Sequence, residues 1–192
     1  MQRTDLKVAF LDRDGVINED SGYVYQPKNF VFCEGVFDAL HAILAAGYFI
    51  IIITNQAGIG RGYYSVGDYE KLTNWYERQF LDSGISILDI MHCPHHPTAA
   101  EGLYRVVCKC RKPGPELILQ AARHYTINIR ESFFVGDKHS DILAAKGAGL
   151  RNAVFLSSWP EKFANSHTDL NFLTFDSLLS FTTTMEKDGW FT

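Results

Sequence analysis

The stretch KVAFLDRDGVIN, residues 7–18, decides how the chain is read. Four apolar residues, Val8-Ala9-Phe10-Leu11, run straight into Asp12 and Asp14 with Arg13 between them. A short apolar run bounded this sharply reads as a buried strand. In extended backbone, residues i and i+2 point the same way, about 7 Å apart. The two carboxylates therefore face one direction where the strand leaves the core.

Working outward, short apolar runs alternate with segments of helical period. Val36–Ala46 sets Val36, Phe37, Leu40, Ile43 and Leu44 on one helical face and stops at Gly47, a natural helix end. Phe49–Ile53 is a continuous, β-branched-rich run, the mark of a strand covered on both sides. Ser65-Val66-Gly67-Asp68 resembles a capping box opening a helix through Leu81. Strands are expected at Ile87–Met91, Ser132–Val135 and Ala153–Leu156, and helices at Glu116–Tyr125 and Asp141–Ala148. Beyond Ser157 the pattern supports only a short strand near Asn171–Leu173 and a helix over Ser177–Met185. This alternation implies an α/β fold, a Rossmann-like parallel sheet with helices on both faces. Only residues 12–35 separate the first strand from the first helix, which leaves no room for a large cap domain.

Right-handed crossovers place the loops that follow the strands on one sheet edge, where ligands bind in such folds. Asp12 and Asp14 follow the first strand, and Thr54-Asn55-Gln56 the second. Gly136-Asp137-Lys138 and then Asp141 follow the fourth, and Arg111-Lys112-Pro113 lies beyond an insertion after the third. Carboxylates so grouped repel one another unless a cation sits among them. Hard oxygen donors suit Mg²⁺, while Arg111, Lys112 and Lys138 complement a phosphate. This set matches phosphoryl transfer, with Asp12 placed to attack phosphorus and Asp14 to move the proton. Asp-x-Asp alone is often a solvated turn, Thr54 alone a strand-end hydroxyl, and Gly136-Asp137 alone a turn. Their joint occurrence at successive strand ends is what that reading leaves unexplained.

The same residues resemble the motifs of the haloacid dehalogenase (HAD) superfamily. Phe10-Leu11-Asp12-Arg13-Asp14-Gly15-Val16-Ile17-Asn18 is similar to its first motif, Ile53-Thr54-Asn55-Gln56 to its second and Lys112-Pro113 to its third. Val135-Gly136-Asp137-Lys138-x-x-Asp141 is similar to its fourth. The resemblance implies a HAD-like fold and Mg²⁺-dependent phosphoryl transfer, with Asp12 as nucleophile and Asp14 as acid/base. It also implies that Thr54 and Lys112 hold the phosphoryl group. Mg²⁺ would sit on Asp12, Asp137 and the main-chain carbonyl of Asp14.

The four cysteines add a second signal. Cys93-x-His95-x₁₂-Cys108-x-Cys110 offers three thiolates and an imidazole, a donor set for structural Zn²⁺. His92 and His96 are alternatives to His95, which is preferred because it makes the two halves symmetric. Four protein ligands leave no open position, so the zinc would order a loop insertion at 92–111 and fix Arg111 and Lys112 above the phosphate site. Cys33 has no partner at ligand spacing and is expected as a small buried hydrophobe. The loop is similar to that of the D-glycero-D-manno-heptose 1,7-bisphosphate 7-phosphatases and of the related histidinol-phosphate phosphatases. Its long span from His95 to Cys108 resembles the heptose group more. By that resemblance Asp20, Gly22, Tyr23, Asn55 and Arg111 contact substrate, and Lys138 contacts the phosphate or the nucleophile. The implied activity is removal of the 7-phosphate in precursor synthesis for lipopolysaccharide core or another surface glycan. Histidinol phosphate is the alternative substrate.

Composition sets the outer bounds. With 192 residues, 46% hydrophobic and 21% charged, the chain is expected to form one domain over 1–192. A formal net charge of −4 without a clustered basic face argues against nucleic acid. The longest apolar run, Tyr48–Ile53, is far too short for a bilayer, and no signal-peptide pattern opens the chain. The expectation is a cytoplasmic monomer whose partner is a small phosphorylated sugar. Gly58-Ile59-Gly60-Arg61-Gly62 is not a dinucleotide motif, because it follows the second strand with the wrong glycine spacing, and it is expected as a mobile turn. Two other classes compete: a phosphoacceptor signalling module, phosphorylated once per chain, and a zinc-stabilised binding protein with a dead site. Turnover separates all three.

Overall fold

A computed structural model describes residues 5–157 and 172–189. Six parallel strands form one sheet in the order β3-β2-β1-β4-β5-β6. They are β1 (Val8–Leu11), β2 (Phe49–Asn55), β3 (Asp89–Cys93), β4 (Phe133–Gly136), β5 (Asn152–Leu156) and β6 (Leu173–Phe175). The helices are α1 (Val36–Ala45), α2 (Ala57–Gly60), α3 (Val66–Asp82), α4 (Glu116–Tyr125), α5 (His139–Ala148) and α6 (Leu178–Lys187).

Strand alternation sorts the core into two layers. Ala9, Leu11, Ile50, Ile52, Phe133 and Val135 join the face covered by α1, α3 and α6. Val8, Phe10, Ile51, Ile53 and Phe134 join the face covered by α4 and α5. All four isoleucines of β2 are fully buried, each contributing about 1.5–3 kcal/mol relative to exposure. Strand order reverses between β1 and β4, so the loops after these strands diverge and open the crevice in which such sheets bind ligands.

Local chemistry sets the helix ends. Ser65 accepts from Asp68 N at 3.1 Å while Asp68 Oδ2 accepts from Ser65 N at 3.0 Å, the capping box expected at the start of α3. At α5, Asp141 Oδ2 accepts from Lys138 N at 2.9 Å and draws the helix start back to His139. The loop over residues 12–35 carries no cap domain and packs as a flap. Phe30 stacks on Tyr76, Phe32 packs against Trp75 and Phe80, and Tyr25 stacks on Tyr64. Cys33 is half-buried against the same core, and burial pushes its thiol up to about 11.

The structure departs from the sequence pattern elsewhere too. β3 is shifted two residues later than expected at both ends, its ladder with β2 running from Asp89 beside Ile51 to Cys93 beside Asn55. β6 starts at Leu173, while the expected start at Asn171 lies outside the described residues. The glycine-rich turn is the helix α2, with Ala57, Gly58, Ile59 and Gly60 all buried. A Cβ on Gly60 would lie 2.5 Å from the carbonyl oxygen of Pro94 and 2.9 Å from Ala100, so the zinc-loop backbone needs a glycine there. Among the described residues no helix is long and apolar enough to cross a membrane.

Candidate active site

The carboxyl ends of β1, β2 and β4 converge on a cavity of about 530 Å³. Asp12, Thr54 and Lys112 are buried at 4%, 1% and 3% exposure. Asp14, Asp20, Gly22, Tyr23, Asn55, Arg111 and Lys138 also line the cavity. All ten catalytic and substrate-contact residues expected from the sequence therefore meet in one place, and Asp137 lies beside Asp12.

Lys112 is the hub. Its Nζ lies 2.8 Å from Asp12 Oδ1 and 2.8 Å from Asp141 Oδ1, and donates to Ile53 O at 2.8 Å. Burial alone would depress this ammonium, but Asp12 and Asp141 hold its pKa above the ordinary lysine value. Burial pushes the Asp12 carboxyl up to about 7, with Lys112 opposing and Asp141 adding to the rise. Asn55 fixes the hub from outside: its Nδ2 donates to Lys112 O at 3.1 Å and its Oδ1 accepts from Lys112 N at 3.0 Å. Asn55 lines the cavity, yet its amide is committed to the Lys112 backbone.

Asp14 sits in a separate network. Arg13, only 1% exposed, donates through Nη2 to Asp14 Oδ1 at 2.7 Å and Oδ2 at 2.9 Å, and to Val24 O at 3.0 Å. Asn18 Nδ2 donates to Asp14 Oδ1 at 3.0 Å and Gln56 Nε2 to Asp14 Oδ2 at 3.2 Å. Gln56 Nε2 also reaches Thr54 Oγ1 at 2.9 Å, and Gln56 Oε1 accepts from Tyr64 OH at 2.6 Å. Arg13, Asn18, Gln56 and Tyr64 were assigned no role from the sequence. The one available signal was Arg13 itself, a guanidinium wedged between two acids at a strand end.

The residues fit a divalent cation. Asp12, Asp137 and Asp141 bring carboxylate oxygens within 4.8 Å of one another. Asp137 Oδ1 is buried and accepts no hydrogen bond. Burial pushes the Asp137 carboxyl up to about 6, against Lys138 and helped by Asp141. These are oxygen donors short of positive charge, the setting hard cations take. Gly15 makes the approach possible: at φ +87°, a Cβ there would lie 2.1 Å from Asp137 Oδ2. The Asp14 side chain is turned to Arg13 and is no part of this cluster. The expected metal set asks only for its main-chain carbonyl. Lys138 Nζ pairs with Asp20 Oδ2 at 2.9 Å and lies 3.5 Å from Asp137 Oδ1, tying the flap to the end of β4.

The cysteine loop closes as a tetrahedron. Sγ of Cys110 is 3.1 Å from that of Cys93 and 3.2 Å from that of Cys108. His95 Nδ1 lies 3.3 Å from Cys110 Sγ and 3.5 Å from Cys93 Sγ, and the Cys93–Cys108 edge is 3.6 Å. Ligands about 2.0–2.3 Å from one centre span edges of this order, so the Cys₃His set fits structural zinc. The alternative histidines are engaged elsewhere. His92 packs on Tyr69 at 4.1 Å, and His96 Nδ1 accepts from Thr98 N and Ala99 N. Arg111 Nη1 donates to His95 O at 3.3 Å, so the cluster anchors that cation directly.

A doubly wound sheet, a buried Asp-lysine-Asp hub and a third carboxylate at the switch point define a hydrolase of the HAD-like class. Residues 109–158 match the model of a HAD-hydrolase-like family. A D-glycero-alpha-D-manno-heptose-1,7-bisphosphate 7-phosphatase of Photorhabdus laumondii is 49% identical over 150 residues, covering 78% of this chain and 82% of the relative. A D-glycero-beta-D-manno-heptose-1,7-bisphosphate 7-phosphatase of Pasteurella multocida is 43% identical, covering 79% of this chain and 82% of that one. The chain belongs to the D-glycero-D-manno-heptose-1,7-bisphosphate 7-phosphatase family. Among solved structures, the D,D-heptose 1,7-bisphosphate phosphatase of B. bronchiseptica, complexed with magnesium and phosphate, superposes with a TM-score of 0.81 at 26% identity. The match covers 95% of this chain and 99% of that one.

Proposed function

We propose that the chain removes the 7-phosphate of D-glycero-D-manno-heptose 1,7-bisphosphate through an aspartyl-phosphate on Asp12. The observation that carries this reading is Asp12 itself, buried at the sheet's switch point with Lys112 Nζ at 2.8 Å. That ammonium favours the ionised carboxylate against the effect of burial and can neutralise a phosphoryl oxygen. Thr54 Oγ1, already accepting from Gln56, has its proton free to donate to the phosphoryl group. Asp14, once its carboxyl turns from Arg13 toward the substrate, protonates the departing sugar oxygen and later takes the proton of the attacking water. Mg²⁺, when bound, supplies charge neutralisation at the phosphate, held by Asp12, Asp137 and the main chain of Asp14. Asp20, Gly22, Tyr23 and Arg111 contact the substrate, Asn55 does so only beside its hold on the Lys112 backbone, and Lys138 contacts the phosphate or the nucleophile.

Zinc on Cys93, His95, Cys108 and Cys110 is structural in this account, because all four tetrahedral positions are taken by protein. Thiolates kept reduced for metal suit the cytoplasm. The chain is read as a single-domain monomer whose partner is a small phosphorylated sugar. The product would feed surface-glycan synthesis.

The test is phosphate release in Mg²⁺ from heptose 1,7-bisphosphate, fructose 1,6-bisphosphate and histidinol phosphate. The expected result is a kcat/KM preference for the heptose that Asp12→Asn abolishes. Preference for histidinol phosphate would overturn the substrate. One phosphate retained per chain without turnover would overturn the hydrolase reading.

A further inference from the structure

Four cations line the active-site cavity: Arg61, Arg111, Lys112 and Lys138. Two are neutralised by the protein, Lys112 by Asp12 and Asp141 and Lys138 by Asp20 and Asp137. Among the described residues, neither arginine has a carboxylate within ion-pair distance. Arg61 is half-buried, and its Nε is inaccessible and without a hydrogen-bond partner. An unmatched guanidinium withdrawn from water is costly unless something anionic meets it.

The position of Arg61 is not accidental to the chain path. It caps α2, with its backbone N donating to Ala57 O at 3.0 Å. The preceding residue, Gly60, is pressed onto Pro94 and accepts from Glu101 N at 2.8 Å. Arg111, from the other end of the zinc loop, reaches His95 O at 3.3 Å. The same Pro94-His95 stretch thus anchors both arginines. On its other side, the Arg61 guanidinium lies 5.6 Å over the ring of Tyr23, which is itself edge-on to Tyr63 at 4.7 Å. Tyr23 holds a left-handed φ of 49°, a conformation uncommon for a side chain of this size. A planar cation seated over the flap's Tyr23, on a backbone held by the zinc loop, suits bidentate recognition of phosphate.

We infer that Arg61, acting with Arg111, seats the phosphate that is not transferred and so makes the enzyme select a bisphosphate over a monophosphate. This rests on the functional reading above and adds the residue that reads the second charge. With one phosphate at Asp12, these two guanidiniums are the cavity-lining cations left without protein counter-ions among the described residues.

The test compares kcat/KM for heptose 1,7-bisphosphate and heptose 7-phosphate in wild type, Arg61→Ala and Arg61→Lys, with a thermal melt of each to establish folding. Losing a charged hydrogen-bonding group at a phosphate is expected to lower the bisphosphate-to-monophosphate ratio about 10- to 100-fold in Arg61→Ala, mostly through KM. Arg61→Lys should fall between, keeping the charge but losing the fork. A folded Arg61→Ala or Arg61→Lys protein with an undiminished ratio overturns the inference, whether both rates fall together or neither does. A wild type that fails to turn over the bisphosphate overturns the functional reading and this inference with it.

Discussion

Replacing Lys112 with Met separates the charge of the hub from its bulk. The methionine fills the space of the lysine stem but leaves Asp12 and Asp141 facing each other and Ile53 O without its donor, all contacts now made at 2.8 Å. Lys112 and Asp141 are buried at 3% and 0% exposure, so water does not replace the lost ammonium. Breaking a buried pair from one side costs about 3–5 kcal/mol. At about 2–4 °C per kcal/mol for a chain of this size, the melting point should fall by about 6–20 °C. The deficit has a required pH dependence. Burial already pushes the Asp12 carboxyl up against the pull of Lys112, and without that ammonium it rises further above its unfolded value near 4, so instability grows as pH rises. Urea unfolding in EDTA should show the full deficit at pH 8 and a much smaller one at pH 5, where Asp12 takes up its proton. A variant as stable as wild type at pH 8, or one whose deficit widens on acidification, would refute the hub.

Three further outcomes are expected. Because burial pushes Asp137 up to about 6 and Asp12 up to about 7, protons compete with Mg²⁺; its affinity, measured by calorimetry, should weaken at least ~10-fold from pH 8 to pH 5. The metal-free protein should correspondingly lose stability as pH rises from about 4 to 7, since those carboxyls keep their protons in the folded state longer than in the unfolded one. Gly15→Ala drives a Cβ to within 2.1 Å of Asp137 Oδ2, so Mg²⁺ titration should show at least ~10-fold weaker binding even where the variant folds. Elemental analysis should find one zinc per chain. Cys110→Ser should abolish it, lowering the melting point by about 10 °C or more and the activity with it, because Arg111 and Lys112 follow the ligand directly.

What could be read in advance was whatever rested on local pattern. The run Val8–Leu11 ending at Asp12 identified β1 because its residues alternate into both core layers. Ser65 and Asp68 specified the start of α3 through a cap closed within four residues. Glu116–Tyr125 matched α4 at both ends. Metal-ligand spacing gave the Cys₃His set, though the choice of His95 needed the fold that packs His92 on Tyr69.

What could not be read depended on distant partners. Two glycines in four residues gave α2 no helical signal, and packing beneath Pro94 and Ala100 makes it a helix. The network around Asp14 joins Arg13, Asn18, Gln56 and Tyr64 across three segments, and no spacing rule links them. Arg61 was visible only as a residue between glycines. Its meaning comes from the carboxylates that the fold keeps away from it.

The central claim, that Asp12 carries the phosphoryl group, is tested most directly by trapping the intermediate. Acid-quenching the enzyme during turnover and reducing with borohydride converts an aspartyl-phosphate to homoserine, which peptide mass spectrometry locates. The account predicts homoserine at position 12 that appears only with substrate and Mg²⁺. Turnover at full rate with no modification at Asp12, or phosphate trapped on another side chain, would contradict it.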